Sequence, residues 1–386
     1  MNNTPHLALK LPEIVNQIVS YLVTPYWQDQ DKSRLYKHIY PCLFVNSLWH
    51  DCASRYLWKN IVFEDSASEY DSFLKFTSIV SNSPGIQHMQ NEYAQWMTMF
   101  SNKYSPHYYG GTSSRILDCN EEEINAEIYS EPTYSHHVQY RNAVRSICLR
   151  KIKEKSINGS LEQIAPYMQR LEKLDIYICD HLSDSSVQSF IKFNTFSTLT
   201  FLSLAGCSRI TDEAIIYAAM FCPKLSHLDL RACGDISDKS ISIVARRCPD
   251  LHHLNVGRVR DRERITMKSI GMIAKYTKVA VLGLAGCDMT DECLLLLAKY
   301  RGKALERISV NNCYRLTNKT VQAYAKYCPN LSVFEMKECH WIDDWASVAE
   351  LVQRRVLLTL CDQQSRACSE WARRHGRVVE VRAPIK

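Results

Sequence analysis

Three sets of side chains in this chain have the types and spacing to do chemistry. Cysteine recurs at Cys179, Cys207, Cys233, Cys287, Cys313 and Cys339. Aligned thiolates can ligate a metal or sense redox state, but either role needs a tetrahedral ligand set or a thiolate favoured by its surroundings. The 16 cysteines include no Cys-x-x-Cys pair. The expected role is therefore a small buried hydrophobe with a weak donor. His227 and Asp229 lie two apart, so on a strand they share a face, a pairing open to acid–base work. No nucleophile elbow, metal-ligand pair or phosphate loop accompanies them. The expectation is a non-catalytic protein without a cofactor or metal. Finally, Arg258-Val-Arg260-Asp-Arg262-Glu-Arg264 offers guanidinium forks that suit carboxylate or phosphate. Alternating charge also describes a plain solvated loop.

The bulk numbers narrow the classes. The chain has 386 residues, 46% apolar and 23% charged, with net charge +6. Acidic and basic residues are interspersed, which argues against a nucleic-acid partner. No run approaches the ~18 apolar residues of a membrane helix. The apolar N-terminal stretch is broken by Lys10, Glu13, Asn16 and Gln17 and does not resemble a secretory signal. No membrane partner is expected, and the expected location is cytoplasmic and/or nuclear.

The elements that must position these residues come from a repeat. The pattern apolar-x-x-apolar-x-apolar-x-x-Cys appears at Leu199, Leu202, Leu204, Cys207 and again at Leu225, Leu228, Leu230, Cys233. Copies start at 144, 171, 199, 225, 251, 279, 305 and 331, spaced by 26 to 28. Two copies lack the cysteine, ending at Ile152 and Val259. The alternating apolar residues predict a short strand. Thr211, Ser237, Thr290 and Thr317 then stand where a helix N-cap is wanted, and Asp212, Asp238 and Asp291 follow on the first turn. Cys222-Pro223, Cys248-Pro249 and Cys328-Pro329 predict the helix ends. One copy cannot bury its own core, so the copies must stack. The pattern resembles the cysteine-containing class of leucine-rich repeat. The fold class expected is α/β: a right-handed leucine-rich-repeat solenoid of strand-loop-helix units.

The first 61 residues have another character. Leu11-Pro12-Glu13-Ile14 opens an amphipathic helix through Ile18 and Leu22, and Cys42 to Trp58 reads as a second helical segment. Leu11, Pro12, Ile14, Ile18, Leu22, Leu43, Val45, Trp49, Leu57 and Trp58 fall on the pattern of an F-box, which this all-helical module resembles despite an insert at 24–40. The resemblance implies that these residues dock a Skp-family adaptor and, through it, a cullin. A plain helical cap on the solenoid end is the alternative reading. Together the two modules resemble F-box leucine-rich-repeat proteins, and the fungal antagonist-of-mitotic-exit-network proteins show a similar array.

The division expected is 1–61 F-box-like module, 62–143 degenerate first repeat plus insertion, 144–355 repeats and 356–386 C-terminal cap. A short helix is expected around Trp96, Met97, Met99 and Phe100. On the strand face, three columns of side chains are predicted, and His227, Asp229, Arg231, His253, Asn255 and Arg258 form the expected recognition patch for a protein substrate. The function implied is substrate recognition in an SCF-type ubiquitin ligase, feeding proteasomal degradation. The alternative is a non-ubiquitin scaffold or inhibitor, for example of a small GTPase in cell-cycle control.

Overall fold

The computed structural model describes residues 6–22, 38–64, 67–81, 136–194 and 197–384. The helix expected near Trp96 and most of the 24–40 insert lie outside them. Among the described residues, ten parallel strands form one sheet in sequence order. They are β1 Asn60–Phe63, β2 Ser146–Arg150, β3 Lys173–Tyr177, β4 Phe201–Ser203, β5 His227–Asp229, β6 His253–Asn255, β7 Val281–Gly283, β8 Arg307–Ser309, β9 Val333–Glu335 and β10 Leu357–Thr359. A helix follows each of them, and neighbouring coils pair without slip, Phe201 on His227 on His253 on Val281. The register is fixed because the middle residue of each repeat strand, such as Leu202, Leu228, Leu254 or Ile308, is buried in one continuous core.

The eight repeat copies supply β2 to β9, and the sheet runs one strand further at each end. β10 falls in the segment expected to be a cap. It is both a further coil and a lid, because the chain returns after the helix Asp362–Arg374 and the Arg382 carbonyl accepts from Leu358 N at 2.8 Å. That contact covers part of an otherwise open sheet edge.

The cysteines are placed by a tight turn after each strand. Ile178, Gly206, Ala232, Gly286, Asn312 and Glu338 all take positive φ, and a cysteine follows each. From Cys207 onward the thiol donates to a carbonyl of the preceding coil, as from Cys233 to Leu204 at 3.1 Å, Cys313 to Leu284 at 3.3 Å and Cys339 to Val310 at 3.1 Å, while Cys179 donates to Tyr177 of its own coil. Burial pushes the thiols up, Cys179 to about 11 and Cys233 and Cys339 to about 12. At neutral pH they are protonated donors that satisfy buried carbonyls, as a structural slot requires.

On the opposite face the expected N-caps are in place. Thr211, Ser237, Thr290 and Thr317 each accept from a first-turn amide of their own helix. The first-turn aspartates do more than face a helix dipole. Asp212 accepts from Ser237 N at 2.8 Å and from its hydroxyl. Asp238 does the same for Thr266, and Asp291 for Thr317 and the Thr320 hydroxyl. Each carboxylate thus ties its helix to the cap of the next coil. Met267 stands where the next aspartate belongs, and the ladder skips one rung there.

Near the N-terminus, the helix Pro12–Leu22 buries Val15 and Val19 against Cys52 and Ala53 of the helix Ser47–Leu57. The second helical segment is made of two pieces. A 3-10 turn at Tyr40–Phe44 ends at Val45, and Asn46 caps a new helix by accepting from Trp49 N at 3.0 Å. This small core is separate from that of the solenoid.

Candidate functional site

The strand face forms a groove of about 860 Å³ lined by residues of β2 to β9 and the turns after them. Because strand side chains alternate, the residues flanking each buried middle residue point into it. The three predicted columns are therefore real columns. In the first, Lys173 Nζ sits 4.2 Å over the Phe201 ring, Phe201 stacks on His227 at 3.9 Å, and His227 stacks on His253 at 3.9 Å. Burial, and then the proximity of His253, lowers His227 from the ordinary imidazole value of 6.5 to about 4. Burial lowers His253 as well. Both rings are neutral at neutral pH.

The second column carries the acids. Asp229 accepts from Arg231 Nε at 3.0 Å and pairs with its Nη2 at 2.7 Å. Asp175 faces Lys173 at 3.2 Å and Arg150 at 4.0 Å. Glu335 pairs with Arg307 and accepts from Asn311 Nδ2 at 3.3 Å. Asn255 accepts from Gly257 N at 3.1 Å, the same local bond that Asp229 makes to Arg231 N. Its side chain lies over Gly283, where any Cβ would sit 2.3 Å from it.

All six residues expected in the recognition patch line this groove. Arg258 differs from the other five in what its side chain bonds to. It is only 6% exposed, and its guanidinium donates to the carbonyls of Ile236 and Asp261, both at 2.9 Å. This coil lacks the cysteine turn, so Arg258 turns inward and satisfies interior carbonyls. The rest of the arginine loop is also largely committed: Arg262 donates to the Asn312 carbonyl and covers Tyr314, and Arg264 pairs with Asp235. Arg307, which stands in the first column but outside the expected patch, lines the groove as well.

A second surface lies on the N-terminal helices. Leu11 and Leu22 are exposed and Ile14 and Ile18 half-buried; the last three share one stripe of the helix Pro12–Leu22, and Leu11 immediately precedes it. Pro12 and Val45 are exposed, and Leu43, Trp49 and Leu57 half-buried. Phe44, outside the F-box pattern, is 73% exposed. Trp58 is half-buried: it stacks on Tyr140 at 4.6 Å and packs on Phe76, against the solenoid core. It links the two units, helped by Gln139 donating to the Asp51 carbonyl at 3.0 Å.

For a metal, Glu338, His340 and Cys361 bring ligand atoms within 4.8 Å of one another. His340 and Glu338 already pair at 3.2 Å on the surface. Among the described residues, no helix is long and apolar enough to cross a membrane.

No family model matches the chain. Over 313 residues it is 31% identical to antagonist of mitotic exit network protein 1 of Yarrowia lipolytica, covering 80% of this chain and 40% of that protein. It is 37% identical over 353 residues to the protein of that name from Candida glabrata, covering 88% of this chain and 56% of the other. The chain thus spans about half the length of the curated relatives it matches. Among solved structures, an internalin from Listeria monocytogenes aligns with 57% of this chain and 53% of its own at TM-score 0.37 and 16% identity, a slight likeness. By sequence, then, this repeat protein is similar to fungal antagonists of the mitotic exit network across most of its own length.

Proposed function

We propose that the protein is a non-catalytic substrate receptor of an SCF-type ubiquitin ligase, acting in the cytoplasm or nucleus. Its N-terminal helices dock a Skp-family adaptor, and through it a cullin, while the groove holds a protein destined for ubiquitination and proteasomal degradation. The observation that carries this is the apolar surface of Leu11, Leu22, Phe44 and Val45, exposed on a helical unit with its own small core. Exposed apolar patches on small units mark partner surfaces. The groove supports a binding role rather than catalysis, since the His227 ring is stacked on both faces and Asp229 is engaged by Arg231.

The test is capture of purified Skp-family adaptor. Wild-type chain is expected to retain it, and the double substitution Leu11→Ala/Phe44→Ala to weaken retention at least about tenfold, roughly the 1.4 kcal/mol or more expected of two buried contacts. Trp58 is unsuitable for this test because its removal disturbs the core. If wild type retains no adaptor, the second reading takes over: an inhibitor or scaffold in cell-cycle control, for example one that sequesters a small GTPase. The names of the fungal relatives favour that reading.

A further inference from the structure

We infer that the groove holds an extended acidic segment of its partner protein, with carboxylates towards both ends and apolar side chains between them. This rests on the reading of the groove as a protein-binding face. The groove's ion pairs share an asymmetry. Arg150 and Lys173 are 48% and 40% exposed, while their shared partner Asp175 is 12% exposed. Arg231 is 55% exposed and Asp229 8%. Arg307 is 44% exposed and Glu335 14%. Every acid lies beneath, and every cation above. The pairs nearly cancel in formal charge, yet the atoms a visitor touches are ammonium and guanidinium. A carboxylate arriving there completes a three-centre arrangement with the cation between two acids, and exposed cations lose little water in accepting it.

The cations are not evenly spread. Lys173 and Arg150 stand at β3 and β2, Arg307 at β8, and Arg231 follows β5. Between the ends, in the column that Lys173 and Arg307 share, lie the neutral rings Phe201, His227 and His253 and the Val281 side chain, with Arg231 standing beside this stretch in the third column. From β3 to β8 there are five steps of ~4.8 Å, about 24 Å, which an extended chain at ~3.3 Å per residue crosses in about seven residues. The fitting segment therefore has two acidic ends about seven residues apart and an apolar middle. A single-stranded nucleic acid fits less well. Such binders stack bases on open aromatic faces, and here the ring faces are spent on one another.

The test uses fluorescence anisotropy with the full chain and three labelled probes. The first is a peptide with two glutamates at each end and a valine- and phenylalanine-containing middle. The second replaces the glutamates by lysines, and the third is an oligothymidine of similar length. Saturable binding of the acidic peptide alone is expected, weakening at least about tenfold as salt shortens the Debye length from ~10 Å towards ~3 Å. Lys173→Gln/Arg307→Gln, with an unchanged circular dichroism spectrum, is expected to lose at least tenfold as well. The two readouts are independent, so a misfolded variant does not remove the peptide comparison. Equal binding of both peptides overturns the charge assignment but leaves a protein-binding groove. Tighter binding of oligothymidine overturns it in favour of nucleic acid. Silence of both peptides overturns the groove as a peptide site, and adaptor capture on the same preparation shows whether the receptor role falls with it.

Discussion

At Gly286 the backbone takes φ +71°, and a Cβ there would lie 1.9 Å from the Arg258 carbonyl oxygen. The same turn position holds Ala232, Asn312 and Glu338 in other coils, so left-handed φ alone does not demand glycine. What demands it is the irregular preceding coil, where Arg258 has turned inward and its carbonyl crowds the next turn. Gly286→Ala is therefore expected to destabilise by more than about 2 kcal/mol, combining backbone strain with a clash that backbone must relieve. Ala232→Gly, at a turn without that clash, is expected to change stability by less than about 1 kcal/mol. Urea unfolding of the two variants checks the contrast. Residue chemistry thus depends on which coil lies underneath, which a column of letters does not reveal.

Among the elements, the helices owe their stacking to the aspartate ladder as much as to apolar packing. Burial raises the Asp291 carboxyl, but its bonds from Thr317 and Thr320 outweigh burial and hold it below the ordinary carboxylate value. Asp291→Ala removes the acceptor for the Thr317 amide and for two hydroxyls, and is expected to cost roughly 1–3 kcal/mol. The neighbouring exposed Glu292→Ala is expected to stay within about 0.5 kcal/mol. Thermal unfolding distinguishes the two. The N-caps and first-turn acids were legible as local signals, because capping is chemistry within four residues. Their second partners were not, because those lie 25 to 28 residues away, across the stack.

For the whole molecule, the pH dependence of stability sums the groove and the ladder. The unfolded chain protonates its imidazoles near 6.5, whereas folded His227 resists until about 4. Between these values the unfolded state binds more protons, so stability falls as pH drops from about 6.5 towards 4. His253 acts in the same direction. Asp212, Asp291 and Asp344, lowered in the folded state, keep their contribution until pH falls below the ordinary carboxylate range. The urea midpoint is therefore expected to be lower at pH 5 than at pH 7, and His227→Phe to narrow that difference. An unchanged gap in that variant would remove His227 from the account.

The sequence by itself determined the stack. A 26- to 28-residue period of apolar residues admits one economical burial, coil on coil, so the strands, their register, the cap hydroxyls and the cysteine slot could be read directly from the letters. It also determined which side chains share the groove, because strand alternation is strict. Only the tertiary structure decided how each charge is used. Burial sorted the acids beneath and the cations above, drew Arg258 into the interior, and assigned Trp58 to the joint between the two cores. Burial of a side chain depends on neighbours from other coils, and no local spacing encodes where those neighbours end.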